Sequence, residues 1–381
     1  MRIALFSDVY WPMVSGVGIT LTRLADALEA RGHAVRVYSA AYPMPAETVD
    51  RPEVHRSPCV PMPLYRDVQW AFPRQREIEN DLAAFAPDLV HVATEVSMGL
   101  AGAKAARRLN VPMVASAHTD YQKYAEWYGV PWVLGAAWLY LRWFYGRAER
   151  VFCPSRVYQD FLRTKGIERT ALWTRGVDPA QFHPSFRSEE FRRRLGLGPG
   201  DLLVTYVGRV AREKDIGLLL DVWPEIADRH PRATLAVVGQ GPLEASIRQR
   251  GLPRVHVTGL LQGRALSEAY ASADVYTFPS PTETFGNSLL EALASGVPSI
   301  AADTGGVLEF ARHGENAWLT RAGDRAALDA GLDRLLGDPA LRNRLREGAL
   351  RTAGERRWDL VYDRLVADYG EVLENARRRA A

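Results

Sequence analysis

Residues 279–298 read PSPTETFGNSLLEALASGVP and pass from a turn into a helix. The first half is rich in residues that form turns, whereas from Asn287 onward leucine and alanine recur with helical spacing. Two carboxylates, Glu283 and Glu291, bracket the point where the turn becomes a helix, and Gly286 lies between them. This arrangement predicts a loop that leads into a helix at the edge of a ligand site.

Backbone amides near Gly286 can approach a ligand closely, and the helix N-terminus favours negative charge there. A carboxylate placed directly on a phosphate would repel it. We therefore expect Glu283 and Glu291 to accept hydrogen bonds from hydroxyls at the two ends of the ligand, with phosphates on the amides between them. A molecule with a sugar, a diphosphate and a ribose in series fits this order. The alternative is an ordinary buried helix whose glutamates are solvated.

The whole run, with its two acids eight positions apart, resembles the signature of retaining glycosyltransferases of family 4. The resemblance implies an α/β protein of the GT-B fold, in which two Rossmann-like, doubly wound domains face each other across a cleft. It also implies transfer of a hexose from a UDP- or GDP-hexose to an acceptor hydroxyl with retention of configuration. No residue spacing in the chain shows the retention.

The bulk properties agree with a two-domain enzyme. The 381 residues are too many for one typical core, and 47% apolar with 24% charged residues is ordinary for a globular protein. No apolar run approaches the roughly 20 residues that span a bilayer, and Met1 leads straight into a strand-like segment without a signal peptide. The two cysteines, Cys59 and Cys153, fit a reducing compartment. We expect a cytoplasmic protein, peripheral on the inner face of the membrane.

Strand-like and helix-like segments alternate along the chain, as in doubly wound parallel sheets. The strand pattern stops before a segment containing GLGPG at 196–200 and restarts at Leu202. We therefore expect a first domain at 1–180, a linker at 181–200 and a second domain at 201–357. The resemblance implies that the first domain binds the acceptor and the second binds the nucleotide sugar. In the resembled fold the last helix, within 358–381, packs back on the first domain. The proline-rich segment from Pro43 to Pro73 predicts irregular structure.

Fixed cations have to stabilise the charge that develops on a departing nucleoside diphosphate. Arg209 and Lys214 follow a predicted strand, where ligands bind in open α/β sheets, and the family uses such a pair to grip the diphosphate. Taken alone, the segment would be a solvated charge cluster, and Arg212 fits the family pattern less well. Without an Asp-x-Asp pair or a histidine cluster, we expect no metal and no cofactor other than the donor.

The resemblance assigns further residues to the donor. It implies that Glu283 holds sugar hydroxyls, that Glu291 holds the ribose, and that Gly239 and Leu260 border the base. Gly16 falls in a glycine loop of the first domain that closes over the diphosphate, whereas packing alone explains Gly18. His118 falls where the family keeps a histidine beside the donor sugar, and Asp120 is an acceptor-side candidate. The remaining nucleotide contacts expected from the signature run are Phe285, Gly286 and Asn287.

The acceptor is predicted from the segment 101–176, which holds 12 Lys/Arg and 5 Asp/Glu together with many aromatic residues. Its part from Tyr121 to Arg147 resembles enzymes that glycosylate membrane lipids, and an aromatic and basic helix can lie in an anionic bilayer interface. We expect a membrane glycolipid or diacylglycerol-type acceptor, with a soluble sugar or small molecule as the alternative. A core helix with solvated charges also explains this composition.

Three other classes of protein were weighed. A dehydrogenase is disfavoured because GVG at 16–18 lacks the third glycine of a dinucleotide fingerprint. A nucleotide-sugar epimerase shares the architecture but not the signature run. A nucleic-acid-binding protein explains the basic segment but not the order of Arg209, Lys214, Glu283 and Glu291. The sequence does not decide between GDP-mannose and UDP-glucose as donor.

Overall fold

The computed structural model describes residues 1–13, 15–43, 54–62, 65–127 and 129–380. The chain forms two compact units. Unit 1 comprises Met1–Thr119, Trp132–Thr174 and Asp359–Ala381, and unit 2 comprises Asp120–Pro131 and Arg175–Trp358.

The first 174 residues supply the strands and most helices of unit 1. The strands are β1 (Arg2–Ser7), β2 (Ala34–Ala40), β3 (Val54–Ser57), β4 (Cys59–Met62), β5 (Tyr65–Ala71), β6 (Leu89–Val92), β7 (Met113–Ser116), β8 (Arg150–Cys153) and β9 (Thr170–Leu172). The helices are α1 (Gly16–Ala30), α2 (Gln75–Phe85), α3 (Ser97–Arg108), α4 (Tyr121–Trp127), α5 (Leu134–Tyr145) and α6 (Arg156–Thr164), of which α4 belongs to unit 2.

Unit 1 is built on a parallel sheet with the strand order β3-β2-β1-β6-β7-β8-β9, and β4 and β5 form a separate antiparallel pair. Its central strands are buried on both faces, which explains their nearly continuous apolar sequences. Helices cover the sheet because each parallel connection needs a crossover.

The rest of the chain supplies unit 2 and the last helix. The strands are β10 (Leu202–Val207), β11 (Ala233–Val238), β12 (Val255–Gly259), β13 (Val275–Phe278), β14 (Ser299–Ala302) and β15 (Trp318–Thr320). The helices are α7 (Glu189–Arg194), α8 (Ile216–Arg229), α9 (Glu244–Arg250), α10 (Gly263–Ala271), α11 (Asn287–Ala294), α12 (Arg325–Gly337), α13 (Pro339–Gly354) and α14 (Trp358–Ala380).

Unit 2 has a second parallel sheet, with the order β12-β11-β10-β13-β14-β15. The chain order reverses beside β10, which pairs with β11 on one side and with β13 on the other. Ligands bind outside the carboxyl ends of the strands at such a switch point. The fold therefore directs attention to the loops that follow β10 and its neighbours.

Helix α14 lies almost entirely in unit 1 and is fixed to it by ion pairs. Arg150 pairs with Asp368 at 2.6 Å, and Arg31 pairs with Asp363 at 2.6 Å. Tyr369 on the same helix is fully buried. The last helix thus returns to the unit formed by the N-terminal part of the chain.

Irregular structure was predicted from Pro43 to Pro73, and this prediction is wrong for the residues that form β3, β4 and β5. Residues 44–53, 63 and 64 are outside the described residues. Pro61 lies within β4, beside the point where the β4–β5 register shifts, as is common for proline in a strand. The short strands β9 and β15 were not predicted either. Both are partly buried edge strands with weak patterns.

Candidate functional site

The predicted nucleotide site is built by loops that follow four neighbouring strands of unit 2. Arg209 and Lys214 follow β10, Gly239 follows β11, and Leu260 follows β12. Glu283 follows β13 on the other side of β10. Because all these strands are parallel, the five residues lie beyond the same edge of one sheet.

The loops after β10 and β11 are joined through their backbones. Gly208 donates its N–H to the carbonyl of Val238, and Val210 donates to Gln240, both at 3.0 Å. Gly239 has φ 136°, and a Cβ there would lie 1.9 Å from the Gly208 carbonyl oxygen. Glycine is therefore required at 239 for the two loops to approach. The contact of Gly239 with a base stays a prediction.

Lys214 and Glu283 form an ion pair that the sequence did not predict. The Lys214 Nζ donates to Glu283 Oε1 at 2.6 Å, and the two side chains are 19% and 16% exposed. The ammonium group offsets the negative charge of the carboxylate. An acid can therefore lie close to a diphosphate site without excluding an anion.

Glu213 positions the second cation. Its side chain is 1% exposed, and its Oε1 lies 3.8 Å from Arg209 Nε. The loop is further fixed at 2.8 Å by hydrogen bonds from the Tyr206 hydroxyl to the Arg209 carbonyl and from the Thr282 hydroxyl to the Glu213 carbonyl. Burial lowers the pKa of the Arg209 guanidinium, whereas the charge of the nearby Glu213 raises it. A guanidinium stays charged at neutral pH in either case. Glu213 was not among the predicted site residues, although an acid between two predicted cations is a signal for such a role.

Glu291 is held in place by Tyr270. The Tyr270 hydroxyl donates to Glu291 Oε2 at 2.8 Å, and Tyr270 is fully buried. Burial, with the nearby Glu291 charge, raises the pKa of Tyr270 well above its ordinary value. The hydroxyl therefore keeps its proton and remains a hydrogen-bond donor. This hydrogen bond orients the Glu291 carboxylate, which projects from the first turns of α11.

The turn before α11 brings backbone amides to the same edge. Gly286 has φ 98°, and Asn287 opens the helix as predicted. Asn287 Oδ1 is buried and has no hydrogen-bond partner among the described residues. The ring of Phe285 is buried and packs against Phe310 at 5.1 Å, so the predicted nucleotide contact of Phe285 would involve its backbone.

Two glycines after β14 shape this turn, and the sequence analysis did not select them. Gly306 donates its N–H to the Glu283 carbonyl at 2.7 Å. A Cβ at Gly306 would lie 2.1 Å from the Thr284 carbonyl oxygen, and one at Gly305 would lie 2.5 Å from that of Glu283. The paired glycines let the loop after β14 pass directly against the turn at 283–286, which we call the predicted donor loop.

Unit 1 contains the other two predicted donor residues. His118 lies just beyond the end of β7, where its Nε2 is 2.8 Å from Ser116 Oγ. Gly16 is the first residue of α1, and Ser15 caps that helix by accepting from the Gly18 N–H at 3.0 Å. A Cβ at Gly18 would lie 2.7 Å from the Met13 carbonyl oxygen, which favours packing as its role.

The acceptor-side candidate Asp120 belongs to unit 2, not to the predicted first domain. Its Oδ1 accepts from the Lys123 N–H at 3.1 Å, and the Lys123 Nζ donates to the Pro281 carbonyl at 2.6 Å. Burial raises the pKa of Asp120. This short segment is thereby attached to the loop that carries Glu283.

Within the described residues, no cluster of three or more His, Cys, Asp or Glu side chains has the arrangement of a metal site. In the same part of the chain, no helix combines the length and the apolar character needed to cross a bilayer.

The two halves of the chain match two family models. Residues 14–181 match Glycosyltransferase Family 4, and residues 187–352 match Glycosyl transferases group 1. A GDP-mannose-dependent α-mannosyltransferase of Mycolicibacterium smegmatis is 36% identical over all of both chains. An α-monoglucosyldiacylglycerol synthase of Streptococcus pneumoniae is 30% identical over 79% of this chain and 71% of its own.

The fold is also shared with solved structures. A sucrose-phosphate synthase from Thermosynechococcus elongatus superposes with a TM-score of 0.81 at 22% identity, covering 98% of this chain and all of its own. At this identity the likeness shows the fold alone, and it confirms the predicted pair of Rossmann-like units. The chain therefore belongs to glycosyltransferase family 4 and is a glycosyltransferase with the GT-B fold.

Proposed function

We propose that the enzyme transfers mannose from GDP-mannose, with retention, to a hydroxyl of a membrane glycolipid or diacylglycerol-type lipid. One observation carries the donor half of this proposal. Arg209, Lys214, Glu283 and Glu291 lie in loops and a helix at one edge of the unit 2 sheet, with α11 beginning among them. Positive side chains and helix-end amides together suit a diphosphate, and the two acids suit hydroxyls on either side of it.

The proposed chemistry needs no acid from the protein as a nucleophile. The acceptor oxygen forms its bond to the anomeric carbon on the face from which the bond to phosphate breaks. The acceptor proton passes to a leaving phosphate oxygen, and Arg209 and Lys214 stabilise the charge that remains. Glu283 holds hydroxyls of the hexose.

GDP-mannose is proposed first because the relative that matches over its full length is named for that donor. UDP-glucose is the alternative donor, since the Streptococcus pneumoniae relative, which matches over a shorter part, is named as the synthase of a glucosyl lipid. A thermal-shift panel with GDP, UDP and the two sugar nucleotides separates them. Ligand at 100 times its Kd adds about 2.7 kcal/mol to the stability of the native state. Stabilisation by neither nucleotide would contradict the proposal.

The lipid acceptor is supported by an exposed apolar stripe on unit 1. Trp132 is 82% exposed, Leu139 65% and Trp143 48%, at a spacing that places them on one side of α5 and its preceding turn. The opposite side of α5, with Trp138 and Leu141, is buried. A helix that is apolar on both sides is expected to find a second apolar environment.

Basic side chains flank this stripe. Arg142 and Arg147 are exposed, and the Arg147 guanidinium lies 3.5 Å from the centre of the Trp143 ring. Tryptophan and arginine together favour the interface of an anionic bilayer. We infer that this surface seats the enzyme on the inner face of the membrane, where a lipid acceptor is within reach.

The membrane proposal is tested by sedimentation with vesicles of phosphatidylcholine and phosphatidylglycerol at low salt. Trp132→Ala and Trp143→Ala together should reduce the bound fraction at least about fivefold, since each removes apolar area that would otherwise enter the bilayer. Trp70→Ala is a matched control, because Trp70 is also exposed on unit 1, at 46%. Equal binding by the wild type to neutral and anionic vesicles would contradict the role of the basic side chains, and no binding at low salt would favour a soluble sugar acceptor.

The transfer itself is tested with labelled GDP-mannose and a lipid extract in mixed micelles. The expected result is label in the organic phase together with release of GDP. Label that appears as free mannose or as an isomerised nucleotide sugar, with no acceptor required, would indicate a hydrolase or an epimerase instead.

A further inference from the structure

A continuous row of side chains connects α14 to His118 inside unit 1. The Tyr369 hydroxyl lies 2.6 Å from His91 Nδ1, and His91 Nε2 lies 3.0 Å from Ser116 Oγ. Ser116 Oγ in turn lies 2.8 Å from His118 Nε2. The row runs from the last helix of the chain, across β6 and β7, to the predicted sugar contact.

The row is enclosed by aromatic rings. Tyr369, His91 and Ser116 are buried, and only His118 is partly exposed. The Trp173 ring packs edge-on at 5.7 Å from both histidine rings. Hydrogen bonds shielded in this way are stronger than exposed ones, and an unsatisfied donor inside them is costly.

The position of each proton in the row follows from its buried end. Burial raises the pKa of Tyr369 well above its ordinary value, so the hydroxyl keeps its hydrogen. The one hydrogen-bond partner that the described residues give this hydroxyl is His91 Nδ1. The hydroxyl therefore donates to Nδ1, because the opposite polarity would leave a buried O–H without an acceptor.

The remaining polarities follow in order. A neutral His91 that accepts at Nδ1 carries its proton on Nε2 and donates it to Ser116 Oγ. The single hydroxyl hydrogen of Ser116 is then directed to His118 Nε2. A neutral His118 that accepts at Nε2 carries its proton on Nδ1.

We propose that Tyr369 is a positioning residue which, through His91 and Ser116, fixes the Nδ1–H tautomer of His118. The imidazole then presents an N–H donor rather than a lone pair on the side away from Ser116. A fixed donor suits a hydroxyl oxygen of the transferred sugar. This last step rests on the proposed function, whereas the tautomer itself does not.

A purely structural role for the row predicts something different. If the side chains only satisfy one another inside the core, removal of the Tyr369 hydroxyl lowers stability but leaves the His118 ring as it was. The test must therefore observe the ring directly as well as the reaction.

The experiment uses the full chain with ¹⁵N-labelled histidine rings and compares wild type with Tyr369→Phe. In the wild type, His118 Nε2 should have the shift of an unprotonated ring nitrogen and Nδ1 that of a protonated one. In Tyr369→Phe both shifts should move toward intermediate values, because the donor that orders the row is gone. Tyr362→Phe is the control: Tyr362 is a buried tyrosine two turns earlier on α14, and its ring packs against Arg31 at 5.8 Å.

Transfer kinetics provide the second readout. Tyr369→Phe should lower kcat about tenfold with the Kd of the donor nucleotide unchanged, because the nucleotide binds elsewhere. Ser116→Ala should have the same effect on kcat, whereas Tyr362→Phe should not. Unchanged His118 shifts in Tyr369→Phe would overturn the proposal, as would altered shifts with an unchanged kcat. If the wild type transfers no hexose, the proposed function fails while the tautomer is still decided by the spectra.

Discussion

Gly306 provides a sharp test of how the donor loop is held in place. A Cβ at this position would lie 2.1 Å from the Thr284 carbonyl oxygen and 2.3 Å from the Phe285 Cα, both backbone atoms that cannot rotate away. Ordinary contacts begin at 3.4 Å, so the loop must move by about 1.3 Å to admit the methyl group. Gly306→Ala should therefore displace Glu283 and the turn before α11.

A displacement of about 1 Å in a reacting group costs on the order of 100-fold in rate. We expect Gly306→Ala to lower kcat/KM for transfer about 100-fold, equivalent to about 2.7 kcal/mol, while overpacking lowers the stability of unit 2 by about 1–3 kcal/mol. The assay is the initial rate of labelled mannose transfer, measured well below the melting temperature of the variant.

The control is Gly337→Ala, a second glycine of unit 2, at the end of α12, where a Cβ would meet no atom within 4 Å. It should transfer sugar at the wild-type rate. A folded Gly306→Ala variant with kcat/KM within threefold of the wild type would refute the reasoning, because the donor loop would then tolerate the shift.

Three further predictions concern unit 2. Lys214→Ala should lower kcat/KM at least about tenfold, about 1.4 kcal/mol or more, because a diphosphate contact is lost. Arg212→Ala is the control, since Arg212 is an exposed cation of the same turn and its removal should leave kcat/KM unchanged. Equal rates for both variants would remove Lys214 from the site. Glu291→Gln should weaken nucleotide binding about fivefold in calorimetry, because a charged acceptor of the ribose hydroxyls becomes neutral, and an unchanged Kd would count against the ribose assignment. The pKa of Asp215 is raised to about 6 by burial and by Asp221, so its carboxylate destabilises the fold increasingly as pH rises from about 4 to about 6 and fully above that range. Asp215→Asn, which suits the left-handed backbone at φ 50°, should raise the melting temperature at about pH 8 more than at about pH 4, and a gain independent of pH would contradict this origin.

The central strands could be predicted from the sequence because parallel strands buried on both faces have nearly continuous apolar sequences. Leu89–Val92 and Val275–Phe278 are of this kind, since all four residues of each strand are buried. Edge strands are short and only partly buried, so β9 and β15 carried too little pattern to be found. Strand β4 was not predicted because its segment is rich in proline, which favours irregular structure, although the segment pairs with β5.

The donor-site residues stay predictions drawn from the family resemblance, whereas the contacts among them could not be predicted from the sequence. The Lys214–Glu283 ion pair joins positions 69 residues apart, and only the pairing of β10 with β13 brings them together. The role of Gly306 likewise depends on how closely the β14 loop passes the Glu283 carbonyl. Tyr369 lies 278 residues from His91, which no local pattern connects.

We propose that unit 2 binds a nucleoside diphosphate at the edge formed by the loops after β10 and β13. A crystal structure of the enzyme with GDP would show this directly. We expect diphosphate oxygens within about 3 Å of the Arg209 guanidinium and the Lys214 ammonium, with the ribose hydroxyls on Glu291. GDP bound at another edge of the sheet, or with its ribose away from Glu291, would contradict it.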